Sequence, residues 1–350
     1  MVNPFKNKVN SLKNKVILVT GGCGSIGSEI VKQLLKYSPR QIRVLDNRET
    51  EEFHMQQEFL EYSNVSFLIG DIRDKDRLKM AMEGVDIVFH AAALKHVPLC
   101  EYNPFEAVKT NVNGTQNIIE AALVNNVEKV INISTDKVTN TINTMGATKL
   151  LAERLIASAQ YYKGKKRTIF SSVRFGNVMG SNGSVIELFK NQISKKRSIT
   201  LTHPDMTRFI MSISQAVNLV LTTAQKMQGG EIFILKMPIF RLKDLAEVVI
   251  EGISPKYNLN PHDIKIKIIG LRPGERMFED LMTEEESKNA FETKNKLIIF
   301  PKIEISCWEK IKKKKCSLSK TTKRGYSSKD ILPLSKAKLK ELILNEGLFK

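Results

Sequence analysis

At 350 residues the chain can hold one large domain or two intimately joined ones, with ample core for a doubly wound sheet. Four cysteines (Cys23, Cys100, Cys307, Cys316) form no Cys-x-x-Cys pair and do not cluster with the five histidines, so no structural metal is expected and reduced thiols in the cytoplasm are the default. No apolar run approaches the roughly 20 residues of a membrane span and no signal-peptide pattern opens the chain, so a cytoplasmic protein without an integral membrane segment is expected. Half of the +18 net charge lies in residues 301–350, where 14 Lys/Arg face 5 Asp/Glu and Lys312 to Lys315 form a run. No aromatic interleaving or nucleic-acid motif accompanies that run, so a solvated loop is expected and a nucleic-acid partner is not. The positive field suits a ligand bearing a diphosphate.

Phe5, Val9 and Leu12 recur at helical spacing among lysines. They are expected to pack on the protein's own body, with a membrane surface or a partner helix as the alternative. Val16–Val19 reads as a short strand, followed directly by Thr20-Gly-Gly-Cys-Gly-Ser-Ile-Gly27. Glycines at Gly21, Gly24 and Gly27 permit a tight turn and let backbone N–H groups approach a pyrophosphate at a helix N-terminus. The helix is predicted over Ser25–Tyr37, with Ile26, Ile30, Val31, Leu34 and Leu35 inward, and a second strand, Ile42–Leu45, ends at Asp46. Strand, glycines, helix, strand and terminal acid in register make a specific dinucleotide signal, with Ser25 and Ile26 inside it. Asp46 lies 19 residues past Gly27, near the roughly 20 expected of an acid on the adenosine ribose, which favours NAD. Arg48 can instead pair with a 2′-phosphate, so NADP stays open.

Alternating strand and helix patterns continue to about Asn177. They predict an α/β fold: a Rossmann-like doubly wound parallel sheet over residues 1–177, then a smaller interwoven substrate-binding unit over 178–350 ending in the basic tail. Gly180, Asn182 and Gly183 mark a loop, Glu231–Leu235 a strand and Leu242–Ile250 a helix, and residues 205–235 are a stretch that can return to the first unit.

Residues 134–149 carry the densest chemistry. Ser134-Thr-Asp-Lys137 follows the apolar run Val130–Ile133, and Met145 and Lys149 stand four apart, on one face of a helix predicted to begin near Thr144. With the glycine spacing, this resembles the short-chain dehydrogenase/reductase superfamily, whose catalytic set is a Ser/Thr, a Tyr and a Lys, the last two four apart. Met145 occupies the Tyr position, and a thioether neither accepts nor releases a proton. Asp136-Lys137 directly after Thr135 resembles the nucleotide-sugar 4,6-dehydratases, especially the UDP-N-acetylglucosamine 4,6-dehydratases of bacterial glycan and polysaccharide biosynthesis.

That resemblance implies an NAD-dependent lyase on a UDP-sugar: oxidation at C4, loss of water across C5–C6, and hydride return to C6. It implies Asp136 as the acid at the C6 hydroxyl, Lys137 as the C5 base, Thr135 as relay of the 4-hydroxyl proton, and Lys149 on the nicotinamide ribose. Those roles require Asp136 protonated and Lys137 neutral in the reactive state. The resemblance also sets Asp71 and Ile72, in Gly70–Asp74, near adenine and Ala91 and Ala92, in His90–Ala93, beneath the pyrophosphate. Asn111 is to shape the site through local hydrogen bonds, and Lys95 is to point into it, a surface loop lysine being the competing view. Segments Val173–Val178, Asp205–Ile210 and Leu271–Glu275 resemble dehydratase motifs, with Asn177, Arg208 and Arg272 expected at the diphosphate and Glu275 at the ribose. Arg174 is divided evenly between a ligand and an ion-pair residue. A homo-oligomer is expected. A nucleotide-sugar epimerase, elimination with inversion at C5, and a catalytically silent dinucleotide sensor are the rival readings.

Overall fold

The computed structural model describes residues 11–301 and 319–349. Phe5 and Val9, the Lys312–Lys315 run, Cys307 and Cys316 lie outside the described residues, whereas Leu12 is buried in the core.

Strands alternate with helices through the first half: β1 (Val16–Thr20), α1 (Ser25–Leu34), β2 (Gln41–Asp46), α2 (Glu49–Glu58), β3 (Val65–Ile69), α3 (Lys75–Ala81), β4 (Ile87–His90), α4 (Val97–Tyr102), α5 (Pro104–Ala107), α6 (Gly114–Val124), β5 (Lys129–Ile133), α7 (Thr144–Tyr162) and β6 (Ile169–Arg174). Every residue of β1 is buried, as expected of a central strand covered on both faces, and its run of Val, Ile and Leu is the cause. The predicted helix over Ser25–Tyr37 is α1 followed by one tight turn of 3-10 helix, Leu35–Tyr37.

The second half supplies β7 (Asn177–Val178), α8 (Val185–Lys196), β8 (Ser198–Leu201), β9 (Thr207–Met211), α9 (Ile213–Lys226), β10 (Ile232–Leu235), β11 (Ile239–Arg241), α10 (Leu242–Ile253), β12 (Lys265–Ile268), β13 (Asp280–Met282), β14 (Ala290–Glu292), β15 (Lys296–Ile299), β16 (Ser319–Lys320) and β17 (Tyr326–Ser327). The large sheet has ten strands in the order β16-β14-β15-β10-β6-β5-β4-β1-β2-β3. From β3 to β10 all neighbours are parallel, and β15, β14 and β16 add antiparallel pairs at one side. The chain thus returns to the sheet through β10 and once more through β14–β16. The return through β10 falls within the 205–235 stretch, and the one through β14–β16 lies beyond it. β15 covers the edge of β10, whose apolar Ile232–Ile234 would otherwise leave backbone groups unpaired.

A separate apolar core gathers Phe189 and Ile193 of α8, Leu245 and Val249 of α10, and Leu339 and Ile343 of the last helix, Lys336–Asn345. Strands β7, β9 and β11 form a small sheet between this core and the large one. The strand order reverses between β1 and β4, which opens a crevice at the carboxyl ends of the strands, where ligands of doubly wound sheets bind. Among the described residues no helix is long and apolar enough to cross a membrane, and no group of His, Cys, Asp or Glu is arranged to hold a metal ion.

Candidate active site

A cavity of about 860 Å³ occupies this crevice. One wall is the glycine turn with α1. Gly21 has a left-handed backbone (φ +66°), and a Cβ there would stand 2.6 Å from the Ala92 nitrogen. A Cβ on Gly27 would stand 2.2 Å from the Gly21 carbonyl oxygen, so neither position has room for any side chain. No side chain caps the N-terminus of α1 and no acid sits in its first turn, so its free N–H groups are left for an anion. These features fit a dinucleotide diphosphate. Gly21, Gly24, Ser25, Ile26, Gly27, Asp46, Arg48, Asp71, Ile72, Ala91 and Ala92 all line the cavity.

Asp46 is buried at the end of β2 and accepts from the Cys23 backbone N–H at 3.0 Å, which ties it to the glycine turn. Arg48 donates to the same carboxylate through Nε at 3.1 Å and Nη2 at 3.2 Å. Asp71 is similarly held by Arg73. Burial alone would raise the Asp71 carboxyl, but those hydrogen bonds outweigh it and hold the group below its ordinary value. Asn111 sits in a π-helical stretch, Val108–Asn113, and bridges the Leu94 backbone to Thr148 of α7. The extra residue of that wide turn carries the asparagine inward. Lys95 lines the cavity and donates to the Asn182 carbonyl at 2.7 Å, while the Asn182 N–H donates to Ser25 Oγ at 2.9 Å. The 180–183 loop thereby closes over the glycine turn.

The opposite wall comes from the end of β5 and the start of α7. Asn143 caps α7, accepting from the Gly146 N–H at 2.7 Å. Gly146 allows the 3-10 turn Asp136–Val138 to lie against the helix, because a Cβ there would stand 2.2 Å from the Lys137 carbonyl oxygen. Thr135, Lys137, Met145 and Lys149 face the cavity in consequence, as does Ser134, whose buried hydroxyl has no hydrogen-bond partner. Met145 packs with Cys100 and Ala107 in a small apolar cluster. Lys149 Nζ donates to the Ile133 carbonyl at 2.6 Å. Burial pushes its pKa down to about 8, against the attraction of Glu153 one turn along the helix.

Asp136 lies behind Thr135 and Lys137, buried and off the cavity wall. Its Oδ1 accepts from Thr135 Oγ1 at 2.8 Å and from Lys137 Nζ at 3.0 Å. Lys137 Nζ also reaches Glu279 Oε1 at 3.1 Å, and Arg208 Nε pairs with that same oxygen at 3.0 Å. Burial opposes both charges, but the Lys137 ammonium drives the Asp136 carboxyl down and the two carboxylates drive Lys137 up. This arrangement favours Asp136 ionised and Lys137 protonated, and an acid at C6 and a base at C5 require the reverse in the reactive state. Burial, then the neighbouring Asp136 charge, pushes Glu279 above the usual carboxylate range.

Several expected ligands are placed elsewhere. Arg208 is off the cavity wall, because its guanidinium is spent on Glu279 and on the carbonyls of Thr207, Met277 and Arg276. Arg272 and Glu275 sit on a turn outside that wall, closed by the Arg272 N–H donating to Glu275 at 3.2 Å and docked on α7 by Asn143. Asn177, by contrast, lines the cavity from β7. Arg174 is fully buried between Glu153 (2.7 Å) and Glu286 (2.9 Å), which decides it as an ion-pair residue. Glu279, Ser134, Asn143 and Gly146 escaped the sequence reading. The Ser134 and Gly146 positions were adjacent to the motif and open to notice, but nothing local marks Glu279.

A family model described as polysaccharide biosynthesis protein matches residues 17–301. The chain is 57% identical to an uncharacterized membrane protein of Methanocaldococcus jannaschii over 97% of this chain and 98% of that one. It is 42% identical to the UDP-N-acetylglucosamine 4,6-dehydratase (inverting) of Campylobacter jejuni, over 83% and 84% of the two chains. It is also 41% identical to the UDP-glucose 4-epimerase of Rickettsia bellii, over 79% and 80%. The solved structure of Pen from Bacillus thuringiensis superposes with a TM-score of 0.90 at 46% identity, covering 97% of this chain and 99% of that one. The chain belongs to the polysaccharide biosynthesis protein family, as a nucleotide-sugar dehydratase or epimerase of the extended short-chain dehydrogenase/reductase fold.

Proposed function

We propose that the protein is a 4,6-dehydratase of a UDP-hexose, with UDP-N-acetylglucosamine as substrate. The observation that carries this reading is Asp136 behind Thr135, paired with Lys137 on the wall of a cavity that Lys149 and the glycine turn also line. A nicotinamide dinucleotide, seated by the glycine turn and Lys149, supplies hydride transfer when bound. NAD is favoured because the buried Asp46 carboxylate repels a 2′-phosphate and Arg48 is already engaged by it.

Thr135 presents a hydroxyl whose proton already points at Asp136, so a proton taken from the sugar 4-hydroxyl can pass through Thr135 to Asp136. Asp136, protonated in that way, is the acid for the departing C6 hydroxyl. Lys137, at the cavity wall, takes the C5 proton as a neutral amine. Met145 contributes an apolar wall and no proton chemistry. Asn177 and Lys95 are proposed on the diphosphate side, and Arg272 and Glu275 at the rim rather than inside.

Epimerisation at C4 is the second reading, favoured by the identity to the Rickettsia bellii epimerase. It requires no acid at C6 and leaves Asp136 and Lys137 without a use. The purified protein incubated with UDP-N-acetylglucosamine is expected to yield a product lighter by one water, without net release of reduced cofactor. A product of unchanged mass with altered C4 configuration selects the epimerase.

A further inference from the structure

Four charged groups from three distant parts of the chain meet behind the cavity: Asp136 and Lys137 after β5, Arg208 on β9, and Glu279 just before β13. Glu279 is held in place by its backbone N–H donating to Ser328 Oγ at 2.9 Å, and its side chain is buried. One of its oxygens, Oε1, takes both cations. The other, Oε2, has no donor, and neither does Oδ2 of Asp136. The two carboxyls stand side by side on Lys137 Nζ, Asp136 through Oδ1 at 3.0 Å and Glu279 through Oε1 at 3.1 Å. Two buried carboxyls so placed raise each other's affinity for a single proton.

We propose that Glu279 is the internal proton acceptor that unmasks Lys137 as a base, taking the ammonium proton so that a neutral amine faces C5 while Asp136 stays ionised to collect the 4-hydroxyl proton. The proposal rests on the dehydratase reading. One N–H bond of Lys137 breaks, one O–H bond forms on Glu279, and no electrons change hands. Before the transfer the cluster holds Lys137⁺, Arg208⁺, Asp136⁻ and Glu279⁻. Afterwards it holds Arg208⁺ and Asp136⁻ beside two neutral groups, so net charge is unchanged. The 3.1 Å contact between Lys137 Nζ and Glu279 Oε1 is the path.

Desolvation supplies the drive. The Lys137 side chain is 31% exposed towards the cavity and that of Glu279 only 8%. A sugar covering Lys137 removes its remaining water, and a dry site favours the neutral amine and carboxylic acid over one more buried ion pair. Asp136 is not an equivalent acceptor for this proton. If it took the Lys137 proton it would have no capacity for the one arriving through Thr135. Glu279 therefore acts through Lys137 and positions its proton, without touching the sugar. The charged groups that face it are Asp136, Lys137 and Arg208.

Two measurements test the assignment. The first needs no substrate: infrared titration of the protein as purified is expected to show a protonated-carboxyl stretch persisting above the usual carboxylate range. Glu279→Gln should abolish that band. Asp136→Asn should move its titration towards lower pH by removing the neighbouring negative charge. No such band, or one unmoved in both variants, overturns the proposal, and the Asp136 variant keeps the test decisive if Glu279→Gln does not fold.

The second follows deuterium uptake at C5 from solvent with UDP-N-acetylglucosamine. Glu279→Gln is expected to slow uptake on the order of 100-fold near neutral pH, the lower end of what a positioned proton acceptor contributes. The loss should recede at higher pH, where solvent deprotonates Lys137, and Glu279→Asp should restore much of the rate. An unchanged rate with an unshifted pH profile overturns the proposal. Failure of the dehydratase reading is seen separately, in wild-type protein, as a product that has not lost water.

Discussion

Arg174→Met removes the cation from a buried triad and leaves Glu153 and Glu286 without the guanidinium that bonds both. The wild-type guanidinium is fully buried, bonded to Glu153 through Nε at 3.1 Å and Nη2 at 2.7 Å and to Glu286 at 2.9 and 3.0 Å. It also donates to the Leu281 carbonyl in β13 at 2.8 Å, so it joins α7, β6 and the strand that follows Glu279. Solvent screening is negligible at this depth, and breaking such a pair by deleting one partner costs about 3–5 kcal/mol. The pH dependence has a definite sign. In the wild type burial would raise the Glu286 carboxyl, but Arg174 outweighs it and holds the pKa below its ordinary value. That contribution is present above the unfolded-state pKa and lost as pH falls through the folded one. In Arg174→Met the depression disappears and burial raises the group instead. The folded variant then binds a proton that the unfolded chain does not, and its deficit shrinks as pH falls. Urea denaturation at about pH 8 and about pH 5.5 should therefore show the larger loss at the higher pH. Adding Glu153→Gln and Glu286→Gln should recover most of it, because uncompensated charge is the cause. A deficit under about 1 kcal/mol, or one equal at both pH values, would refute the reasoning.

Gly27→Ala should abolish stabilisation of the fold by added NAD in a thermal melt, since the new Cβ would meet Gly21 backbone at 2.2 Å and the turn cannot yield. Undiminished NAD stabilisation would show that the turn is not the dinucleotide seat. Asp46→Ala should weaken NAD use in activity assays of cofactor-stripped protein, and NADP proving the better activator of wild type would make Arg48 the determinant. Lys149, brought down to about 8 mainly by burial, is expected to be needed in its charged form, so kcat/KM should decline as pH rises through that value. An alkaline limb that persists unshifted in Lys149→Arg would assign it to another group. Asp136→Asn should prevent even the reduction of bound cofactor under single turnover, because an amide cannot take the 4-hydroxyl proton that Thr135 passes on. Cofactor reduction that proceeds and then stalls would leave Asp136 only the role of acid at C6.

What could be read from the chain alone is what neighbouring residues decide. The Gly21–Gly27 turn, Asp46 at the end of β2, and the Thr135–Lys149 window each lie within one strand–turn–helix unit. Backbone sterics and strand or helix periodicity act over such distances, so spacing determines geometry. The same holds for Met145 and Lys149, one turn apart on α7. The long-range partners were another matter. Glu279 meets Lys137 across 142 positions, and Arg174 meets Glu286 across 112. Arg208, Arg272 and Glu275 carry residue types suited to a diphosphate and ribose, yet Arg208 is turned inward onto Glu279 and the other two close their own turn. A charged side chain goes where burial, counter-charge and hydrogen bonds are jointly satisfied, and that balance exists only once the sheet and the second core have come together. Local sequence therefore determined the cofactor-type turn and the identity of the reactive window. Tertiary structure alone decided which acids and cations surround that window, and with them the protonation states its chemistry must start from.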